Sequence, residues 1–268
     1  MTTSPAAGQK RPLQTRLKAH AADVLCHPLV GLAIRTVFRG RVPSLRFPGW
    51  RVALDAPGVT SRTAAEIFWG IYESAELRFV ERHLRRDLDV VEVGSSIGAV
   101  SSAIARRQDP NRRLVCVEAN PQLHDLLRRN LAANAPDRRV EIVPRAISYD
   151  GPTVRFGLGA SNVSGRLETP GPGTETVDVP ATTLSEILRA QGLTRFALVA
   201  DIEGGEAAII DKDEPALRSC EQIVIELHAT QLDGRDVSID DLVHNIEARG
   251  LALTARHGPV CVFERTGA

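Results

Sequence analysis

The sequence predicts an α/β protein: an open, mostly parallel sheet covered by helices on both faces, preceded by a helical extension. Three observations predict it. From residue 88 onward, short apolar runs alternate with helical stretches, the pattern of right-handed βαβ units. The last two apolar runs flank His257-Gly258, the signature of a terminal hairpin that adds an antiparallel strand at or near one edge. Finally, the 268 residues are 43% hydrophobic and 25% charged, enough to bury a globular core.

The elements follow in order. Leu13–Phe38 carries apolar residues at helical spacing, and Pro28 should break it into two helices. Residues 42–60 hold short β-like pieces separated by Pro and Gly, and residues 63–87 read as one helix with Phe68, Ile71, Leu77, Val80 and Leu84 on its buried stripe. Leu88–Val93 is a strand, Ile97–Arg107 a helix, and Leu114–Val117 a strand ending at Glu118. Pro121–Asn134 is a helix with Pro in its first turn, and Val140–Val143 is a strand. An irregular β region and a Gly/Pro/Thr-rich loop (Gly157–Thr176) precede the helix Thr183–Ala190. The strand Phe196–Ala200 ends at Asp201, a helix starts at Glu206, and the strand Ile223–Leu227 ends at His228. The helix Ile239–Arg249 stops at Gly250, and Leu251–Ala255 pairs with Val260–Glu264. We expect an arm and short β region over 1–60 and the main domain over 61–268.

Composition narrows the function classes. No apolar run is long enough to span a bilayer, and the first residues lack a secretory signal, so a cytoplasmic protein is expected. Four scattered cysteines without a CxxC pair read as free buried thiols and give no support to a zinc site or disulfide framework. Thirty Arg against three Lys, with many Ala, is the codon signature of a GC-rich bacterial genome. Residues 1–51 hold nine Lys/Arg and one acid, so the rest of the chain is net acidic. The basic segment 13–41 suits packing on the body or on a second subunit, with contact to an anionic membrane surface as the alternative. An acidic body disfavours nucleic acid as partner.

Four stretches carry chemistry. In Val90-Val91-Glu92-Val93-Gly94-Ser95-Ser96-Ile97-Gly98, a buried strand enters a tight turn and then a helix. Its GxxxG spacing lacks the central glycine with which a dinucleotide site approaches pyrophosphate. An acid before the first glycine suits a ligand bearing an ammonium group, and both features point to S-adenosylmethionine. Glu118 closes the next strand, where an acid can accept from both ribose hydroxyls. Asp201 closes the fourth strand, with Glu203 and Glu206 behind it. Glu226 and His228 close the fifth. In a parallel sheet these carboxyl ends share one rim, so Glu92, Glu118 and Asp201 should converge.

Taken in order, VVEVGSSIGAVS, VCVEANPQLHDLLRRNLAAN, VPRAIS, ATTLSEIL, LVADIEGGEAAII and IVIELH resemble the FkbM-type family of S-adenosylmethionine-dependent methyltransferases over residues 68–229. IYESAEL is similar to a Tyr-Glu element that precedes the first strand in that family. The resemblance implies the class I methyltransferase fold, a Rossmann-like, mostly parallel seven-stranded sheet, and transfer of methyl to hydroxyl oxygens of sugars, polyketides and related metabolites. It implies cofactor contacts from Glu92, Gly94, Ser96, Gly98, Glu118, Ala119, Ala146 and Asp201. Glu203 and Glu206 match the acidic motif after the fourth strand, and His228 matches the histidine closing the fifth. Glu92, Ser95 and Ser96 stand where Asp, Ala and Asn are more common, and the family's Lys-Ile-Asp is here Val199-Ala200-Asp201.

The expected reaction is therefore O-methylation of a small-molecule or glycan hydroxyl, with His228 as first candidate base and Asp201 as second. Asp201 has two further readings, orienting His228 or binding a divalent cation. Ser161, Asn162 and Ser164 sit in a loop suited to touching the acceptor. A nicotinamide-dependent oxidoreductase and a non-catalytic scaffold of the same fold are the competing readings, and a homo-oligomer is compatible with the sequence.

Overall fold

A computed structural model describes residues 23–158 and 175–267. Its main sheet contains β3 (Asp89–Val93), β4 (Arg113–Val117), β5 (Arg139–Val143), β9 (Phe196–Ala200), β10 (Cys220–Glu226), β13 (Leu251–His257) and β14 (Val260–Arg265). The strand order is β13-β14-β10-β9-β3-β4-β5. β3 is parallel to β4 and β9, and β14 runs antiparallel between β10 and β13. The terminal hairpin thus supplies the antiparallel strand the sequence predicts.

Period-two alternation explains why both faces are covered. Val90, Leu114, Cys116, Ala197, Val199 and Val224 point into one buried cluster with α3 (Ser74–His83), α4 (Ala99–Arg107) and α5 (His124–Asn134). Their neighbours Val91, Val93, Val115, Leu198, Ala200 and Ile223 point into the other. That second cluster is shared with α6 (Leu184–Gln191), α7 (Glu206–Lys212), α8 (Glu214–Ser219) and α9 (Ile239–Glu247). The four cysteines are free and buried.

Two local differences from the sequence reading matter for the site. The helix expected over 63–87 is two helices, α2 (Ser61–Trp69) and α3. Gly70 ends α2 in the left-handed region (φ 68°), and Glu73 starts α3 at φ 42°. Apolar periodicity continues across this break, which is why it reads as one helix. The irregular β region forms a separate sheet of β6 (Ala146–Ile147), β7 (Thr153–Leu158) and β8 (Glu175–Thr182) in the order β6-β8-β7. Ser161, Asn162 and Ser164 lie outside the described residues.

Pro28 opens α1 (Pro28–Val37), capped by His27, as its position in a first turn favours. Gly31 lets α1 touch α2, because a Cβ there would lie 1.7 Å from the Ser61 carbonyl oxygen. Leu29, Leu32 and Val37 remain exposed on α1. The segment between α1 and α2 packs onto the body. β1 (Arg41–Pro43) and β2 (Arg51–Ala53) form a hairpin, and Val42, Trp50 and Val52 join the cluster of α3–α5. Asn130 on α5 donates to the Ala53 carbonyl at 3.1 Å and accepts from the Ala53 amide at 2.7 Å. Among the described residues no helix is long and apolar enough to cross a membrane.

Candidate active site

The strand order reverses between β3 and β9, and the crevice of an open α/β sheet forms outside the carboxyl ends of such strands. A cavity of about 460 Å³ opens there. It is lined by Gly94, Ser95 and Ser96 after β3, Glu118 and Ala119 after β4, Asp201–Glu203 after β9, and Tyr72, Glu73 and Glu76 from the start of α3.

The turn after β3 is set by backbone contact. Gly94 sits at φ 91°, and a Cβ on it would lie 2.0 Å from the Asp201 carbonyl oxygen. The Gly94 and Ser95 amides donate to the Val117 carbonyl, and the Asp201 amide to that of Val93. These bonds hold the three strand ends together. Gly98 serves packing: a Cβ there would lie 2.8 Å from Leu127 on α5, and Gly98 is not on the cavity wall. Glu92 is also absent from that wall. It lies beneath the turn, 2% exposed, and accepts from Ser95 Oγ at 2.7 Å and Ser101 Oγ at 2.5 Å. Burial raises its pKa, and the two serines oppose that rise. Its place is to brace the loop.

Glu118 occupies the wall as the sequence predicts. Its Oε2 accepts from the Ser96 amide at 2.6 Å and its Oε1 from the Asn120 amide at 2.7 Å. Burial pushes its pKa up to about 7 against these bonds. Ala119, Leu123, Ala146, Ile147 and Phe156 form an apolar end beside it. An acid with spare lone pairs next to a flat apolar slot suits a ribose and a purine.

The opposite end is acidic. Glu73, Glu76, Asp201 and Glu203 line it, with Glu206 and Glu226 behind. Burial, then Glu73, Glu226 and Glu206, push Asp201 up to about 8. Burial, then Glu226 and Glu203, push Glu73 up to about 7. Glu206 is fully buried and accepts from the Ile202 and Gly204 amides at 2.6 and 2.8 Å, so it shapes the loop that carries Asp201. His228 lies behind that loop and off the cavity wall. It is 3.5 Å from Glu206 and 3.8 Å from both Glu203 and Glu226. Glu206, then Asp201 and Glu203, raise its pKa to about 9 against a partial burial penalty. It therefore carries a proton at neutral pH.

Three of the five non-glycine residues at positive φ among the described residues are Glu73 (42°), Ser96 (47°) and Glu203 (54°), and all three line the cavity. Such backbone costs about 1–3 kcal/mol each and persists where the surroundings over-determine it. The site is thus pre-shaped. The sequence reading held Tyr72, Glu73 and Glu76 only within IYESAEL and Arg145 only within VPRAIS, without a role, and missed Phe156 on the wall. Nothing about a carboxylate in an amphipathic helix marks it as inward-facing until the break at Gly70 turns the start of α3 toward the cavity.

The donor atoms of Asp201, Glu203 and His228 lie within 4.8 Å of one another, as do those of Glu73, Glu76 and Asp201, so either trio has the spacing to gather around a cation. The charge cluster also fixes a pH response. Asp201 and Glu73 titrate above the ordinary carboxylate range, so they bind protons in the folded chain that the unfolded chain has released. His228 holds its proton up to about pH 9 against an ordinary value of 6.5. The carboxylate contributions are whole below about pH 4 and are lost as pH rises to 7–8, and that of His228 is whole below about 6.5 and lost by about 9, so all three decline between pH 6 and 9. The ligand-free protein is expected to melt about 5 °C or more lower at pH 9 than at pH 6, since 1 kcal/mol moves the midpoint by about 2–4 °C in a chain of this size. A flat midpoint across this range in differential scanning calorimetry would contradict the charge arrangement.

Fold and site together define a class I methyltransferase. The family model for the FkbM methyltransferase domain matches residues 92–251, and the chain belongs to that family. It is an S-adenosylmethionine-dependent methyltransferase. No curated protein sequence matches it. Similar solved structures include an O-methyltransferase family protein from Burkholderia thailandensis, 14% identical over 78% of this chain and 60% of that one, with a TM-score of 0.45. Others are a ribosomal protein L11 methylase from Lactobacillus delbrueckii subsp. bulgaricus (11% identity, 73% and 79% covered, TM-score 0.43) and a precorrin-6y C5,15-methyltransferase from Geobacter metallireducens (19%, 71% and 86%, 0.38). At these values none bears on the acceptor.

Proposed function

We propose that this methyltransferase acts on a hydroxyl of a small molecule or glycan. The observation that carries the reading is Asp201: a carboxyl on the cavity wall, beside the acidic end, whose Oδ1 is buried without a hydrogen-bond partner among the described residues. A weakly nucleophilic alcohol needs such a group to take its proton, which contributes about 10²–10⁴-fold. An acidic wall also repels phosphate, which argues against nucleic acid.

The residues present fit the cofactor. Gly94 leaves room where a side chain would fill the turn, and Glu118 faces the cavity beside an apolar slot. When bound, S-adenosylmethionine supplies an electrophilic methyl carbon on a sulfonium. Glu118 would hold the ribose hydroxyls, Ser96 and the turn at Gly94–Ser95 the amino-acid portion, and Ala119 and Ala146 would flank the adenine. Glu92 and Gly98 support the turn from behind.

Asp201 takes precedence over His228 as base. His228 lies off the wall and is raised to about 9, whereas Asp201 faces the cavity and, at about 8, releases its proton first as pH rises. The protonated imidazole is a cation close to Asp201 that favours its ionised form. His228 therefore acts as a positioning and charge-balancing residue. A screen of hydroxyl acceptors with labelled S-adenosylmethionine tests the proposal. Label in a sugar or polyketide alcohol is expected, and label appearing only in RNA or protein would overturn it.

A further inference from the structure

The acidic end of the cavity holds more carboxylate than the transfer of one proton requires. Glu76 is the telling member. It lies in the first turn of α3, is only 4% exposed, lines the cavity, and makes no hydrogen bond or ion pair with any described residue. A buried carboxyl of this kind is costly unless a ligand completes it. Its surroundings add to the cost: one oxygen each of Glu73, Glu76 and Asp201 lie within 4.8 Å of one another. Burial, then Asp201 and Glu73, hold the Glu76 carboxyl well above the ordinary range.

We propose that Glu76, with Glu73 and Asp201 beside it, is the receptor for the α-ammonium group of the cofactor. The inference rests on the cofactor reading above and adds a residue that the family match, which begins at residue 92, does not cover. Three features select an ammonium. The other carboxylates on the wall are already engaged: Glu118 by two backbone amides, Glu66 by Arg62 at 2.8 Å, and Glu203 by His228 at 3.8 Å. Asp201 follows β9 and Glu118 follows β4, and the order β4-β3-β9 puts two strand spacings, about 10 Å, between these two strand ends. An ammonium offers three N–H donors, and three carboxylates converge. A hard divalent ion would need further oxygen ligands and retained waters.

The role separates Glu76 from a merely structural residue. Glu76→Gln keeps shape and removes charge. Calorimetric titrations use S-adenosylhomocysteine, which carries the ammonium, and 5′-methylthioadenosine, which lacks the amino-acid portion. The variant is expected to weaken S-adenosylhomocysteine by about 10–100-fold, the loss of a charge-assisted hydrogen bond, and methylthioadenosine by less than about 2-fold. Ligand-free Glu76→Gln is expected to melt higher than wild type at pH 8, because folding no longer has to draw a proton onto this buried carboxyl, which the unfolded chain leaves ionised. Glu73→Gln is expected to show the same selectivity more weakly. Equal losses for both ligands, no loss for either, or a lower melting point would overturn the assignment. So would abolition of homocysteine-ligand binding by EDTA, which would make the trio a metal site. If wild type binds neither ligand, the cofactor reading itself fails; loss of selectivity alone removes only the role of Glu76.

Discussion

Gly94→Ala is expected to abolish cofactor binding. Two separate costs fall on this one methyl group. The residue sits at φ 91°, where an L side chain is strained by about 1–2 kcal/mol. The added Cβ would lie 2.0 Å from the Asp201 carbonyl oxygen and 3.1 Å from Ile202. Neither neighbour can yield cheaply, because the Asp201 amide is bonded to the Val93 carbonyl and Ile202 to Glu206. The strand ends of β3 and β9 must then separate, and that junction is the floor of the cavity. Affinity for S-adenosylhomocysteine is expected to fall at least about 100-fold, with a lower melting temperature, since core strain and lost backbone pairing act together. Calorimetry and thermal melts check both. Wild-type affinity in the variant would mean that ligand binds elsewhere.

Asp201→Asn should bring the second large effect, a fall in kcat of about 10²–10⁴-fold with a smaller change in cofactor affinity. The amide keeps the shape and cannot accept the acceptor's proton. The pH profile separates this from a structural defect. In wild type, kcat/KM rises with pH as Asp201 ionises, with a midpoint near its value of about 8 in the ligand-free protein. Cationic cofactor next to the cluster lowers the midpoint seen in kcat. His228→Ala removes a cation beside Asp201 and is expected to move the kcat/KM midpoint upward, with a smaller loss at pH 9 than at pH 7. If His228→Ala removes turnover at every pH while Asp201→Asn retains it, the roles are reversed.

Much of this arrangement is legible in the sequence, and the reasons are specific. Parallel strands buried on both faces appear as apolar runs, so β3, β4, β9 and β10 stand out. Their carboxyl ends share a rim by topology, which is why Glu118 and Asp201 are recognisable as wall residues before any coordinate is known. Glu92 shows the limit of that reasoning. It lies within its strand, and only the pleat and the hydroxyls of Ser95 and Ser101 decide that it faces away from the cavity. His228 shows another limit: its protonation depends on Glu206 and Glu203, which only the fold brings within 4 Å. Glu76 was least legible, because a single left-handed turn at Gly70 and the break before Glu73 set which way α3 presents its first turn.

Gly98 likewise changes meaning on folding. In sequence it is half of a ligand-binding glycine pair. In the fold it is the point where α4 passes α5. A glycine near a phosphate or nucleoside turn thus needs its surroundings before it is assigned to ligand.

The most direct measurement is a crystal structure of the protein soaked or grown with S-adenosylhomocysteine. The account requires ribose hydroxyls against Glu118, adenine between the apolar residues near Ala146 and Phe156, and the amino-acid end between Gly94 and the Glu76–Asp201 carboxylates. Ligand density at another face, or an adenine lodged among those carboxylates, would contradict it.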